Sequence, residues 1–387
     1  MPVAYIVEAL RTAGGRRNGR LAGIHPTELG AVPIDELLDR TGIDPVAVED
    51  VILGCVSQAG EQSNHVGRHV VLASKLPRSV PAVSIDRQCG SSQQAIHFAA
   101  QAVMSGTQDV VIAAGVESMS RVPMGSPLLT EQGKDPLGPR IKERYGVDSF
   151  SQFVGAEMIA KKWGFSRRHL DALGLESHLR AAAAARAGAF TREIVPVNIT
   201  LPDGSASVHD FDEGIRHDAS LEGMAGVKTL TPDGVITAAT ASQMCDGASA
   251  VLVVSEQALK THGLTPLARI VQLTVTAGDP VIMLEEPLYA TDKALKKAGL
   301  SIGDIDLFEV NEAFAPVPLA WLRHTGADPA KLNVNGGGIA LGHPLGATGA
   351  KLMATLVHAL RARKKRYGLQ TMCEGGGLAN VTIVEAL

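Results

Sequence analysis

Cys89 is the residue of this chain best placed to act as a nucleophile. It lies in a polar turn, 87–92 (RQCGSS), between a strand-like segment, 83–85, and a helical pattern that begins at Gln93 and ends at Gly106. The free N–H groups and the positive dipole end of a helix start favour a thiolate. The position therefore predicts a lowered thiol pKa and a nucleophile at neutral pH. A small buried structural cysteine is the alternative for a lone cysteine.

Further reactive groups stand in glycine-rich segments of the last third of the chain. His343 lies within 333–349, NVNGGGIALGHPLGATG, whose glycines permit close backbone approach, and this favours a histidine beside a ligand. Cys373 opens 373–377, CEGGG, whose glycine amides could form an oxyanion hole or hold a phosphate. Asn311 follows a predicted strand, so it is expected at a strand end, as are Cys89 and the two glycine-rich segments.

The composition excludes several function classes. With 387 residues, 45% hydrophobic and 20% charged, the chain is expected to form a globular protein of two or three lobes. The formal net charge of −4 gives no basic field, so nucleic acid is not an expected partner. No apolar run approaches the roughly 18–20 residues of a membrane span and no secretory signal is apparent, so membrane insertion is not expected and the cytoplasm is the expected location.

The sequence offers little support for a metal or nucleotide-loop protein. The four cysteines form no C-x-x-C pair, so no metal site is expected from them. His65 and His69 stand at i and i+4 of a predicted helix, but without a nearby acidic partner they are better explained as solvated or core histidines. No GK[ST] follows a glycine loop and no GxGxxG opens a βαβ unit, which excludes phosphate-loop NTPases and Rossmann dehydrogenases.

An internal repeat predicts an α/β protein of two related halves. The segment 299–314 repeats the pattern of 42–56, and 332–375 repeats the strand, turn, helix and strand order of 83–115. Reactive loops at equivalent strand ends would then meet in one cleft.

The repeat also suggests domain boundaries. The N-terminal half is assigned to 1–118 plus 243–266, and the C-terminal half to 267–387. The intervening 119–242 is richer in proline, glycine and charge, and we expect it to be an inserted, mobile loop lobe.

The chain resembles the thiolases, the acyl-CoA C-acetyltransferases, over essentially its whole length. The motifs that match in order and spacing are QCGSSQQA (88–95), GVESMS (115–120), NEAF (311–314), NVNGGGIALGHPLGATGA (333–350) and CEGGG (373–377). The resemblance implies a thiolase-like five-layer α-β-α-β-α core of two similar halves with an inserted loop lobe. It also implies a homodimer or homotetramer that takes acyl-CoA and coenzyme A as substrates and binds no metal or covalent cofactor.

The resemblance assigns roles to the reactive residues. Cys89 becomes acylated, and His343 activates it and contributes to an oxyanion hole. Cys373 exchanges the proton of acetyl-CoA or of the incoming CoA thiol. Asn311 holds a water that completes the hole at the thioester oxygen, and the backbone N–H groups of Cys89 and Gly375 form the hole of the acyl-enzyme.

The resemblance also implies that the 119–242 lobe binds substrate and coenzyme A. Arg216 is expected at the nucleotide end, Ser242 at the pantetheine arm, and Ala238 beside them. A surface salt bridge is the alternative role for Arg216.

These features predict a degradative 3-ketoacyl-CoA thiolase. It would cleave its substrate with coenzyme A into acetyl-CoA and a shortened acyl-CoA, by a ping-pong mechanism through Cys89. The alternatives are a biosynthetic acetoacetyl-CoA thiolase and a non-catalytic, thiolase-like acyl-CoA-binding partner. A β-ketoacyl carrier-protein synthase would have a second histidine in place of Asn311 and no counterpart of Cys373.

The chain departs from the common family pattern at several positions. These are Ser92-Gln93, SQFVG before Ala156-Glu157, Glu285-Glu286-Pro287 and Leu378-Ala379-Asn380. The QCGSSQQA and CEGGGLANVTI variants look most like thiolases of actinobacterial sterol breakdown. That likeness implies a bulky or branched 3-ketoacyl-CoA, a fragment from steroid catabolism.

Overall fold

A computed structural model describes residues 2–128 and 135–387. Residues 129–134 of the predicted lobe lie outside the described residues. The strands are β1 Ala4–Thr12, β2 Gly15–Arg16, β3 Asp50–Gly54, β4 Ala82–Ile85, β5 Val110–Ser118, β6 Ile194–Val195, β7 Val197–Thr200, β8 Ala206–His209, β9 Cys245–Ser255, β10 Ala268–Ala277, β11 Leu307–Val310, β12 Tyr367–Glu374 and β13 Leu378–Ala386.

Helices alternate with these strands in both halves, as the sequence pattern predicts. They are α1 Pro26–Thr41, α2 Val66–Ala73, α3 Ser91–Ser105, α4 Pro139–Tyr145, α5 Gln152–Lys162, α6 Arg167–Arg186, α7 Leu221–Ala225, α8 Glu256–His262, α9 Glu286–Ala298, α10 Pro316–Thr325, α11 Gly338–Leu341 and α12 Thr348–Ala362. The predicted end of α3 is confirmed, because Gly106 caps it in the left-handed conformation with φ of 75°.

The sheet repeats one topology in the two halves. Its order is β11-β12-β13-β10-β1-β9-β5-β3-β4, with β2 and β6 paired to its side. In the first half, β4, β3 and β5 run parallel, and β9 and β1 follow antiparallel. In the second half, the parallel bridge Phe308↔Leu332 and the pair β11–β12 are followed by antiparallel β13 and β10. The internal repeat seen in the sequence is thus a structural repeat.

The two halves meet between β1 and β10. These antiparallel strands pair at Tyr5↔Arg269 and Ile6↔Ala268, so a short junction joins what the sequence predicted as two separate sheets. On its other side, β1 pairs with β9 of the first half and β10 pairs with β13 of the second half.

Three apolar clusters define five layers. Helices α1 and α2 cover one face of the first half. Helices α3 and α12 pack against each other and against strands of both halves, with side chains such as Ile96 and Met353 fully buried. Helices α9 and α10 cover the outer face of the second half, where Trp321 is fully buried. Because α12 is buried from Thr348 to Leu360, it can only be a central helix, and the predicted five-layer α-β-α-β-α architecture is confirmed.

The segment between β5 and β9 carries α4 to α7 and the β7–β8 hairpin. It is tied to the core by β6, which pairs in parallel with β1 at Arg11↔Ile194. Across the described residues, no helix is long and apolar enough to cross a membrane.

Candidate active site

Cys89 sits in a tight turn between β4 and α3, as the sequence predicts. Gln88, just before it, has φ of 50°, a left-handed conformation that is costly for a residue with a side chain. Asp86 stabilises that turn, because its Oδ1 accepts the Gln88 N–H at 2.7 Å. Gly90 is the N-cap of α3, so the thiol is held directly before the helix start.

Cys89 opens onto a cavity of about 610 Å³. The nucleophile and Gly375 form part of its wall, and the remaining wall is mainly apolar. Apolar lining residues are Val56, Met124, Pro127, Leu128, Phe150, Met283 and Leu345, and polar ones include Ser57, Asp86, Gln88 and Gln152. A pocket with a nucleophile in its wall and an apolar body can hold an acyl group.

The expected lowering of the Cys89 pKa is wrong. Burial, followed by the Glu374 carboxylate, raises the pKa of the Cys89 thiol to about 12. The N–H groups of Cys89 itself and of Gly375 hydrogen-bond to the sulfur and oppose that rise. A helix start alone therefore does not supply the thiolate, and a base must take the proton when substrate binds.

Cys373 is buried near the end of β12, close behind Cys89. Burial raises the pKa of its thiol well above the ordinary value, and the charges of Cys89 and Glu374 raise it further. The two thiols are thus near enough to influence each other's ionisation. Gly376 and Gly377 follow with φ of 86° and 78°, which lets the chain turn so that the Gly375 N–H faces Cys89.

His343 is buried and held as one neutral tautomer. Burial and then the charge of Lys351 lower its pKa to about 3. Its Nδ1 lies 2.6 Å from Thr348 Oγ1, whose hydroxyl donates to the Pro344 carbonyl oxygen at 2.9 Å. Thr348 Oγ1 must then accept the hydrogen on Nδ1, which leaves Nε2 as the free base. The sequence interpretation did not single out Thr348.

Asn311 lies beside that base. Its Nδ2 is 3.4 Å from His343 Nε2, and its buried Oδ1 has no hydrogen-bond partner among the described residues. The next residue, Glu312, accepts hydrogen bonds from Ser177 Oγ at 2.6 Å and Asn333 Nδ2 at 2.9 Å. Glu312 therefore fixes the loop that carries Asn311 against the glycine-rich segment.

Glycines bring the His343 loop onto the start of α3. A Cβ at Gly349 would lie 2.1 Å from the Gln93 nitrogen, so any side chain there would separate the two segments. Glu117, in the GVESMS motif, accepts N–H bonds from Ser57 at 2.9 Å and from Gly346 at 2.8 Å. Glu117, for which the sequence predicted no role, is thus a buried residue that holds the Cys89 half and the His343 half together.

Arg216 and Ala238 line a second cavity, of about 190 Å³. Arg216 is exposed and forms no salt bridge among the described residues, so the structure does not support the surface ion-pair alternative. Ser242 is not among the lining residues; its N–H donates to the Ala313 carbonyl oxygen at 2.9 Å.

Gln243 connects this cavity to the base, a role that the sequence interpretation missed. It lines the cavity, and its carbonyl oxygen accepts the N–H of His343 at 2.9 Å. Its side-chain Nε2 donates to the carbonyl oxygens of Gly214 at 2.9 Å and Ile339 at 2.7 Å. The side chain of Gln243 therefore joins the loop that leads to Arg216 to the glycine-rich segment, and its main-chain carbonyl holds the backbone of the base.

The described residues contain no group of three or more His, Cys, Asp or Glu side chains that could hold a metal ion. The arrangement instead combines paired thiols, a neutral imidazole and backbone N–H donors. Such a set can form a covalent acyl-thioester and stabilise an oxyanion, which is the chemistry of a cysteine-dependent acyltransferase.

The chain belongs to the thiolase family. The family model "Thiolase, N-terminal domain" matches residues 4–257, and "Thiolase, C-terminal domain" matches 264–386. It is 54% identical to the steroid 3-ketoacyl-CoA thiolase FadA6 of Mycobacterium tuberculosis, covering 100% of this chain and 95% of that protein. It is 42% identical to a β-ketoadipyl-CoA thiolase of Acinetobacter baylyi, covering 100% of both chains.

Solved structures agree with these matches. The human mitochondrial 3-ketoacyl-CoA thiolase superposes with a TM-score of 0.90 at 37% identity, covering 100% of this chain and 99% of that chain. The Bacillus anthracis acetyl-CoA acetyltransferase superposes with a TM-score of 0.92 at 35% identity and the same coverage. The predicted fold and the predicted enzyme class, a degradative thiolase that transfers acyl groups between CoA thioesters, are confirmed.

Proposed function

We propose that this enzyme cleaves a steroid-derived 3-ketoacyl-CoA whose acyl group is bulky or branched. The observation that carries the proposal is the cavity of about 610 Å³ that has Cys89 and Gly375 in its wall. Its apolar lining suits a hydrophobic acyl group larger than that of acetoacetyl-CoA. The 54% identity to a steroid 3-ketoacyl-CoA thiolase supports the same substrate class.

In the first half-reaction, Cys89 gives its proton to Nε2 of His343, and its sulfur attacks the C3 carbonyl carbon. The C2–C3 bond then breaks, and its electron pair forms the enolate of acetyl-CoA. Cys373 gives its thiol proton to C2 of that enolate, so acetyl-CoA leaves and the shortened acyl group stays on Cys89. The N–H groups of Cys89 and Gly375 are the donors for the developing oxyanion.

In the second half-reaction, the thiol of coenzyme A gives its proton to the Cys373 thiolate. The CoA sulfur attacks the acyl carbon on Cys89, and the Cys89 sulfur leaves and regains its proton from His343. Both thiols are then restored, so protons and bonds balance over the cycle. The Oδ1 of Asn311 has no hydrogen-bond partner in the part of the chain that the structure describes, which supports the role of that side chain in holding a water at the thioester oxygen.

In this proposal the second cavity receives part of coenzyme A. Arg216 supplies a cation for the nucleotide phosphates, Ala238 borders the entry, and Ser242 lies between that cavity and the NEAF loop. Gln243 would couple the bound arm to the base, because it touches both the cavity and the His343 backbone.

Intact-mass spectrometry tests this function directly. The protein is mixed with acetoacetyl-CoA or with a bulkier 3-ketoacyl-CoA, each with and without free coenzyme A. We expect an acyl adduct on the Cys89 peptide that disappears when coenzyme A is added, and faster formation with the bulkier substrate. Cys89→Ala should form no adduct, whereas the matched variant Cys55→Ala should label as the wild type does.

Other outcomes of that experiment would favour the alternatives. Faster labelling by acetoacetyl-CoA would point to the biosynthetic reaction. Binding without any adduct from either substrate would point to a non-catalytic acyl-CoA-binding partner.

We also infer a cytoplasmic homodimer or homotetramer. The described cysteines are all free, which supports a reducing compartment. Strand β4 forms one edge of the sheet and leaves Val83 41% exposed, which supports assembly through that edge. Light scattering of the purified protein would distinguish the dimer, the tetramer and a monomer that contradicts the inference.

A further inference from the structure

Glu374 is a fully buried carboxyl group beside both thiols of the site. It is the last residue of β12 and directly follows Cys373. A Cβ at Gly90, the residue after Cys89, would lie 2.0 Å from Glu374 Oε1, so the carboxyl group packs on the N-cap of α3. The reaction proposed above uses both thiols but gives this acid no part.

The contacts of the carboxyl group are incomplete. With its amide nitrogen facing the acid, Asn380 donates from Nδ2 to Glu374 Oε1 at 2.7 Å, and its Oδ1 accepts the Gln94 N–H at 3.3 Å. Glu374 Oε2 is buried and has no hydrogen-bond partner among the described residues. Burial of a carboxylate that has one oxygen without a hydrogen bond is energetically unfavourable, and burial of the neutral carboxylic acid is much less so.

The groups that face this site come from several elements. Arg87 and Asp86 lie on the loop before α3, Cys373 lies on β12, and Asn380 lies on β13. Burial raises the pKa of Glu374 to about 8, while the charge of Arg87 and the backbone N–H of Asn380 oppose that rise. Once ionised, Glu374 raises the pKa values of both thiols.

We propose that Glu374 is a positioning residue that acts as a protonation switch: as a neutral acid it leaves the two thiols reactive, and as a carboxylate it suppresses them. Its effect passes through Cys89 and Cys373, since both thiols must become thiolates during the cycle. The inference rests on the proposed roles of those cysteines. Asn380 belongs to the switch because it is the side chain that donates to the acid.

Alkylation of Cys89 by iodoacetamide tests the switch without any turnover. The reagent is neutral, so the charge of Glu374 does not steer it, and the rate reports the thiolate population. Asp86 also raises the Cys89 pKa but is present in both enzymes, so a bend in the rate profile that is lost in Glu374→Gln reports Glu374. We expect Glu374→Gln to react as the wild type does at about pH 6.5 and about tenfold faster at about pH 9.5.

Two more variants complete the experiment. Glu385→Gln is the matched control. Glu385 lies at the opposite end of the β12–β13 hairpin, where it pairs with Tyr367, so this variant should keep the wild-type profile. Asn380→Ala removes a donor to the carboxylate, so the bend should move to higher pH.

Superimposable profiles for the wild type and a folded Glu374→Gln would overturn the proposal. If Glu374→Gln does not fold, an unmoved bend in Asn380→Ala overturns it instead. Failure of the switch is distinct from failure of the proposed function, because acyl labelling of Cys89 is measured separately.

Discussion

His343 donates its Nδ1 hydrogen to Thr348 Oγ1 across 2.6 Å, and the same hydroxyl donates to the Pro344 carbonyl oxygen across 2.9 Å. The direction of these two hydrogen bonds determines which imidazole nitrogen is basic. Thr348 also begins α12, so the base is oriented by a helix that is buried from Thr348 to Leu360. Orientation of the catalytic base is therefore coupled to packing of the core.

Loss of the Thr348 hydroxyl should slow the chemical step. Thr348→Val keeps the shape but leaves the Nδ1 hydrogen without an acceptor, so we expect kcat for thiolysis to fall about 10–100-fold. Thr348→Ser keeps the oxygen and should retain most of the wild-type kcat. Steady-state kinetics at saturating coenzyme A would decide this, and equal kcat values for the valine and serine variants would contradict it.

Replacement of Cys373 should separate acyl transfer from carbon–carbon chemistry. Cys373→Ala keeps Cys89 and His343, so acylation by acetyl-CoA should persist, but no group remains to take the α-proton. We expect exchange of the acetyl-CoA methyl hydrogens with deuterium oxide, followed by NMR, to drop at least about 100-fold. Cys245→Ala is the control thiol. Undiminished exchange in Cys373→Ala would mean that another group is the base.

The architecture and the site motifs could be read from the sequence because their signals are local. The strand, turn and helix around Cys89 occupy one continuous stretch, and Gly106 marks its end. In contrast, β13 was not anticipated, because the glycines of CEGGG were interpreted only as backbone donors, whereas Gly376 and Gly377 also form the turn between β12 and β13. Its pairing with β10, as in Ala268↔Ala386, is set by contacts distant in sequence.

Electrostatics and long-range clamps could not be predicted in the same way. The helix-start argument for Cys89 considered the backbone dipole but not burial or a neighbouring acid from β12. Gln243 and Glu117 act on loops far away in the chain, and neither stands in a recognisable spacing with its partners. Ser92, noted as a departure from the family pattern, accepts the Ala350 N–H at 2.9 Å and so joins α3 to α12 instead of lining the acyl cavity.

Arg216 should affect coenzyme A binding more than chemistry. Arg216→Ala removes an exposed cation from the second cavity, so we expect KM for coenzyme A to rise about tenfold with little change in kcat. A pantetheine thiol, which lacks the nucleotide, is the matched control and should show the same KM with both enzymes. A parallel loss with the pantetheine thiol would assign Arg216 a structural role.

His97 should make the fold sensitive to acid. It is fully buried on α3, its Nε2 lies 2.8 Å from Thr382 Oγ1, and its Nδ1 has no partner among the described residues. Burial and then the charge of Arg87 lower its pKa from 6.5 to about 3. Between pH 6.5 and about pH 3, His97 is protonated in the unfolded chain but neutral in the folded chain. The free energy of unfolding therefore falls as the pH decreases through this range.

His97→Gln removes that proton while an amide can still reach Thr382. Between about pH 6 and pH 4, the slope of the unfolding free energy against pH should be smaller in the variant by about 1.4 kcal/mol per pH unit, which corresponds to one proton. A residual slope should remain, because burial also lowers the pKa of His343 to about 3 and that of His178 to about 4. Urea unfolding across this range measures the slope, with the exposed His217→Gln as the control. A His97→Gln slope equal to that of the wild type would show that the imidazole is protonated in the folded core.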